Sequence, residues 1–206
     1  MKSLIKLITV LSLALATFSQ HFTASALDMF KFRGLGANAS FSTVDGCIQT
    51  NVDVFTAEAF IQVFPGNVDP FSSVNIFISQ YDLCEDIQLL AAEGVADLAE
   101  PDLQISSKLN QATLNTTVNV LDSLTGNTFD VSVSLAWTGI GPVNHERLNF
   151  HFRDQTCLTH TRSKGTFRDA EVMGSVSNGI TNFTPELSLG ANLISSNSGD
   201  MSIGCN

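Results

Sequence analysis

The sequence predicts an all-β protein, an antiparallel β-sandwich with jelly-roll or immunoglobulin-like layering that disulfides stabilise. Apolar and polar residues alternate in several segments, most clearly at 129–137, with the period of a half-buried strand. Turn-forming pairs such as Asp45-Gly46 and Gly126-Asn127 separate these segments. Four cysteines follow a predicted export signal, and exported domains commonly use disulfides. The same pattern is compatible with a closed antiparallel sheet.

The first 26 residues have the layout of a secretory signal peptide. Lys2 and Lys6 precede an apolar run over 7–18, and Ala24-Ser25-Ala26 supplies a small-residue cleavage site. The run is shorter than the roughly 20 residues that span a bilayer. We therefore expect residues 27–206 to be released without membrane insertion as one secreted β-sandwich domain, extracellular or periplasmic.

Each element is predicted from its local pattern. Residues 27–37 are predicted to be a mobile or edge-lying entry. Residues 87–98 fit either a strand or a helical stripe and are assigned as strand plus loop. The alternation slips by one between Leu109 and Ala112, which predicts a bulge or tight turn. The remaining strands are predicted at residues 40–43, 48–55, 74–81, 103–109, 112–120, 129–137, 148–152, 170–176 and 187–193.

Cysteine placement predicts a disulfide framework. Cys47, Cys84, Cys157 and Cys205 all follow the signal, and an even number in an oxidising compartment favours two disulfides. Three pairings are possible. Pairing of Cys47 with Cys84 and of Cys157 with Cys205 is favoured because each bond joins segments within one half of the chain. Each closed loop contributes roughly 4 kcal/mol of stability. Because no Cys-x-x-Cys spacing occurs, structural bonds are expected in place of zinc or redox chemistry.

The charge balance excludes some partners. The chain has 20 acidic and 10 basic residues, a net charge of −10. Two basic residues lie in the signal, so the remainder carries 8 minus 20, or −12. Nucleic acid and anionic membranes are therefore not expected as partners. Five of the eight remaining basic residues cluster late in the chain, at Arg147, Arg153, Arg162, Lys164 and Arg168.

That cluster has two interpretations. The simpler one is a solvated surface, with Arg168 held by Asp169 or a loop carbonyl. The functional one makes Arg168 an anion anchor that Arg162 and Lys164 assist, since charged donors bind anions strongly.

Histidines suggest a metal site. His145-Glu146 begins like a zinc-protease helix, but Asn149 replaces the second histidine. A hairpin closing near Gln155-Thr156 would set His151 opposite His160, close enough to share a transition metal with His145 or a carboxylate such as Asp154. The alternative is a solvated pair.

Calcium is a second metal to consider. Seven acids occur between residues 82 and 102, without the calcium-loop spacing; they are Asp82, Glu85, Asp86, Glu93, Asp97, Glu100 and Asp102.

Aromatic residues bear on carbohydrate binding. Trp137 is in phase with the apolar side of its strand and is predicted to be in the core. Tyr81 is the better candidate for an exposed sugar platform.

Two motifs carry a family resemblance. Trp137-Thr138-Gly139-Ile140-Gly141-Pro142, followed by Gly165-Thr166-Phe167-Arg168-Asp169-Ala170, resembles a family of secreted bacterial all-β proteins that has no assigned activity. The resemblance implies an exported bacterial β domain. It transfers no functional residue.

The sequence therefore favours a non-catalytic module for surface, matrix or partner binding, with an extracellular protein or glycan as partner and no cofactor. No Gly-x-Ser-x-Gly elbow is present. The alternative is a secreted hydrolase or metal-dependent enzyme that uses His145, His151 and His160.

Overall fold

Every regular element of the described chain is a β-strand. The computed structural model describes residues 28–64, 66, 68–153, 157–178, 182–183 and 192–205. Its strands are β1 (Asp28–Asp45), β2 (Ile48–Phe64), β3 (Val68–Asp82), β4 (Ile87–Asp97), β5 (Leu103–Ile105), β6 (Gln111–Asp122), β7 (Thr128–Gly139), β8 (Asn144–Arg153), β9 (Cys157–Ser177), β10 (Asn182–Phe183) and β11 (Leu193–Cys205). Among these residues, no helix has the length and apolarity to cross a membrane. The predicted all-β class is confirmed.

The strands form one antiparallel sheet that closes on itself. Eight strands make a circuit of hydrogen-bonded neighbours in the order β1, β2, β3, β4, β6, β7, β9, β11 and back to β1. Strand β5 attaches to β6, and both β8 and β10 attach to β9. The antiparallel prediction is confirmed. The predicted layering as a sandwich is not confirmed, because all described strands belong to this single sheet.

The hydrophobic core lies inside the circuit. Alternate residues of its strands point inward, for example Val52 and Val54 of β2 or Val131 and Val133 of β7, each at most 1% exposed. Trp137 is 1% exposed, and its indole Nε1 donates a hydrogen bond of 2.9 Å to the Asn38 carbonyl. Its predicted core position is confirmed, and the hydrogen bond satisfies the one polar group of a buried indole.

Strand β9 holds the circuit together by changing partners along its 21 residues. From Cys157 to Asp169 it pairs with β11, and from Leu158 to Phe167 its other edge pairs with β8. From Ala170 to Ser177 that second edge pairs with β7 instead. The sheet consequently continues beyond the closed part as an open sheet, formed by β8 with the adjoining parts of β9, β11, β1 and β2.

Two local predictions have definite outcomes. The entry predicted at 27–37 is wrong, because residues from Asp28 onward form β1 between β11 and β2. Alternation of Phe30 and Phe32 with Lys31 and Arg33 explains why this segment joins a sheet. The predicted turn near 109 is confirmed, since Leu109 is buried with φ of +56°.

Other predictions fall partly outside the described residues. The ambiguous segment at 87–98 contains strand β4. The predicted strand at 187–193 has only its last residue among the described strands, and the predicted signal peptide lies outside them.

One predicted disulfide is present. Cys47 and Cys84 are bonded with a Cα–Cα distance of 5.5 Å, and they join the β1–β2 turn to the β3–β4 turn. A loop of 37 residues contributes about 4 kcal/mol in the chain-entropy model. Cys157 is also disulfide-bonded, and the backbone register sets it opposite Cys205, whose side chain lies outside the description. Such bonds are consistent with an extracellular or periplasmic location.

Closure of the circuit depends on a glycine. Gly174 of β9 pairs with Leu135 of β7 at φ of +120°, and a Cβ there would collide with the Ser134 carbonyl oxygen. We predict that Gly174→Ala lowers the free energy of unfolding by about 2 to 4 kcal/mol. Gly126→Ala, where φ is +74° but the space is open, should cost about 1 kcal/mol. Urea denaturation of both variants checks this, and equal losses would contradict it.

Candidate functional site

The open sheet collects most of the positive charge of the protein on one side. Directly paired residues of adjacent strands, and alternate residues of one strand, share a face. Seven of the eight basic residues after the predicted signal lie on the same face by this register, which we call the cationic face: Lys31, Arg33, Arg147, Arg153, Arg162, Lys164 and Arg168. Lys108 alone lies elsewhere.

The cationic face is continuous with the inner wall of the circuit. Arg168 pairs with Ile194, which pairs with Ala37, and both of these apolar residues are buried in the core. Along β9 and β1 the same face then leaves the core: Lys164 and Arg162, four and six residues before Arg168, are exposed, as is Arg33, four residues before Ala37. The core therefore fixes which side of the open sheet carries the cations.

Few acids neutralise this face. Of the described carboxylates, the register places Glu58 and Asp200 among the cations of the open sheet, while Asp45, on the same face of β1, lies at the far end of that strand. Asp200 lies between Lys31 on one neighbouring strand and Arg162 on the other. The other described acidic residues lie elsewhere, so charge is segregated in a chain whose net value is −10.

Basic residues oppose one another across the β8–β9 pair. Arg147 is directly opposite Lys164, and His151 is directly opposite His160. Like charges in directly opposed positions destabilise a sheet. This pairing of Arg147 with Lys164 therefore costs the fold some stability.

Aromatic rings support the cations of β1. The Lys31 ammonium lies 5.1 Å from the centroid of the Phe64 ring, and the Arg33 guanidinium lies 4.8 Å from that of Phe60. Each cation–π contact contributes about 0.5 to 1 kcal/mol at an exposed site. The contacts hold both side chains over the sheet while their hydrogen-bond donors still face solvent.

The histidine pair forms as the hairpin register predicts. The rings of His151 and His160 stack with centroids 4.1 Å apart and planes 10° apart, and His160 Nε2 lies 2.9 Å from Asn149 Oδ1. Partial desolvation first, and then the nearby positive charges of His151 and Arg162, lower the pKa of His160, while Asp200 opposes this. The register places both histidines on the cationic face, and the lowered pKa favours the neutral form of His160.

The three histidines His145, His151 and His160 do not converge on one position where they could share a metal ion. His145 shares the face but lies six residues from His151 along β8, about 20 Å at the rise of a strand. Asp154 lies outside the described residues. The described chain brings together one group of three potential ligands, Cys47, Asp82 and Cys84, and the disulfide removes both thiolates from it.

The acidic segment and Tyr81 lie away from the cationic face. Asp82 caps the turn after β3, because Oδ1 accepts the backbone N–H groups of Cys84 and Glu85. Calcium binding by this segment stays a prediction. Tyr81 is 39% exposed, as a platform requires. Along β3, however, it lies eleven residues, roughly 35 Å, from Pro70, the residue that pairs with Phe60 beside Arg33.

Arg168 is engaged within the fold. Its Nε donates to the Gly141 carbonyl at 3.0 Å and its Nη1 to Asn110 Oδ1 at 2.5 Å. These bonds fix the β7–β8 loop against the turn before β6. The loop-carbonyl interpretation of Arg168 is thus the one that its contacts match, whereas Arg162 and Lys164 project into solvent.

Two cations of the face were missed in the sequence. Lys31 and Arg33 lie in the segment predicted as a mobile or edge-lying entry, 129 residues or more from Arg162 along the chain. Their alternation with Phe30 and Phe32 was the available signal, although it could not reveal which strand they would adjoin.

Comparisons with known proteins show distant likeness in fold alone. No family model matches the chain, and no curated protein matches it. One similar solved structure is a protein provisionally named AttH from Nitrosomonas europaea, at 10% identity and a TM-score of 0.29, with 92% of this chain and 55% of that chain covered.

Another is the enduracididine biosynthesis enzyme MppR, complexed with the condensation product of pyruvate and imidazole 4-carboxaldehyde. Identity is 8%, the TM-score is 0.28, and the match covers 92% of this chain and 90% of that one. This chain thus spans little more than half the length of the first structure. Likeness at these scores supports no conclusion about this chain.

The histidine pair gives a testable titration. We predict that His160 titrates below its ordinary value of 6.5, and that His151→Asn raises its midpoint by removing a neighbouring positive charge. Because the unfolded chain protonates more readily, this group lowers stability as the pH falls below about 6.5. NMR of the imidazole Cε1–H signals measures the midpoint. His145→Asn is the control, and a midpoint unmoved by His151→Asn would contradict the assignment.

Proposed function

We propose that the protein is a secreted, non-catalytic binding module whose cationic face binds an acidic polysaccharide. The observation that carries this proposal is the segregation of seven of eight cations onto one face of an otherwise acidic chain. Anionic sulfate or carboxylate groups would neutralise the opposed Arg147 and Lys164 through charge-assisted hydrogen bonds.

The shape of the face supports a polymer over a small substrate. Rows of residues run across strands spaced about 4.8 Å apart, such as Arg147, Lys164, Ser198 and Arg33 in register. This open row suits an extended chain with repeated negative groups. By contrast, one shallow cavity of about 250 Å³ lies on the outer side of β2, β3 and β4, beside Asp53 and Glu93, away from the cations.

Net charge favours a polysaccharide over nucleic acid. The protein has a net charge of −10. At long range this charge repels nucleic acid, whose negative charges are closely spaced. A polysaccharide with more widely spaced charges is repelled less, and the predicted export places the protein where such polymers occur.

The alternative of a secreted hydrolase or metal-dependent enzyme remains a prediction. No observation favours it specifically, since His145 is distant from the stacked pair and the pair is exposed on an open face.

The polymer class can be tested directly. We predict that the mature protein binds chondroitin sulfate and polygalacturonate, that unmodified dextran does not bind, and that affinity falls as salt rises. Isothermal titration calorimetry measures each affinity. Tighter binding of single-stranded DNA than of either acidic polysaccharide, or equal binding of neutral dextran, would contradict the proposal.

Paired variants locate the site. Arg147→Ser with Lys164→Ser should weaken polysaccharide binding by about tenfold, since two charge-assisted contacts are lost. Thermal stability should stay equal or rise because the variant removes a like-charge pair. Lys108→Ser, off the cationic face, is the matched control. Equal weakening in the control would contradict this location.

A further inference from the structure

The outermost strand of the open sheet has an open backbone edge. Within the described part of the chain, β8 pairs with β9 on one side and has no strand on the other. Eight of its ten residues are exposed. A strand in this position presents a row of unpaired N–H and C=O groups, which is a template for another strand.

The two faces of β8 differ sharply in chemistry. On the cationic face it carries His145, Arg147, His151 and Arg153. The opposite face carries Asn144 and Glu146 and then the apolar Leu148, Phe150 and Phe152, and the two phenylalanines are 48% and 51% exposed. Their rings are nearly parallel, at 5°, with centroids 6.5 Å apart. The edge thus alternates positive charge with exposed aromatic surface.

A second copy of the chain is a poor occupant of this edge. Side chains of an added strand lie beside those of β8 on the same face. In an antiparallel pairing of β8 with itself, Arg147, His151 and Arg153 would face one another or His145. Opposed like charges destabilise such a pair.

We propose that β8 accepts an extended peptide whose sequence alternates acidic with apolar residues. The acidic side chains would meet Arg147, His151 and Arg153, while the apolar ones would cover Phe150 and Phe152. Backbone hydrogen bonds would provide affinity and the alternation would provide specificity, as in other cases of strand addition. This site goes beyond polysaccharide binding, because it uses the strand edge and the phenylalanine side as well as the charges.

A capped ten-residue peptide that alternates glutamate with valine is the direct probe. We expect it to bind the mature protein at least about tenfold more tightly than a scrambled peptide of the same composition. Amide hydrogen exchange at the outer edge of β8 should slow on binding, because N–H groups there would bond to the peptide. Fluorescence anisotropy with labelled peptide measures affinity. Equal binding of the scrambled peptide would overturn the proposal.

Methylated peptides test the use of the backbone. In a strand, alternate residues direct their N–H groups to opposite edges. Methylating the amide nitrogens of every glutamate, or of every valine, therefore blocks one edge at a time. One pattern should abolish binding and the other should leave most of it. Equal effects of the two patterns would contradict strand addition.

Variants separate this site from the polysaccharide site. Phe150→Ser with Phe152→Ser should weaken peptide binding by about tenfold and leave polygalacturonate binding unchanged. Arg33→Ser should do the reverse. Circular dichroism verifies that both variants fold. Peptide binding unaffected by the phenylalanine changes would overturn the proposal, as would concentration-dependent protection of β8 in the protein alone, which would show that a second copy occupies the edge.

Discussion

The architecture depends on the pairing of β7 with the second half of β9. Without it, the neighbours β11, β1, β2, β3, β4 and β6 would form an open sheet with no enclosed interior. Val133 and Val176, each at most 1% exposed, are opposite each other in this pairing. Burial of such residues supplies the main stabilising free energy. The pairing requires Gly174, because any side chain there would meet the backbone of β7.

Closure of the circuit also determines which face of the open sheet carries the basic residues. Since alternation continues without interruption through β1, β9 and β11, a face that is apolar inside the circuit becomes the cationic face outside it. Ala170 belongs to the core and Lys164 is exposed, six residues apart on one face. A fixed interior thus orients Arg33 and Lys164 to the same side, although they are distant in sequence. Rigid strands hold the charges at defined spacings, which limits the entropy lost when a polymer binds.

The sequence allowed local structure to be predicted better than assembly. Alternation at 129–137 predicted β7 and the buried Trp137, and the hairpin register predicted that His151 and His160 would meet. Both follow from contacts close in sequence. The cationic face could not be predicted because it joins β1 to β9 and β8 through β11, and neither strand order nor partner change follows from local periodicity. Arg168 illustrates the same limit: its partner Asn110 lies 58 residues away.

Backbone nuclear Overhauser effects in the mature protein test this account most directly. The account predicts contacts between paired residues Val133 and Val176, which report closure, together with contacts between Lys31 and Asp200 and between His151 and His160. All three must occur in one molecule. Contacts of β9 with β11 in the absence of any between β9 and β7 would show an open sheet, and the origin assigned to the cationic face would then be wrong.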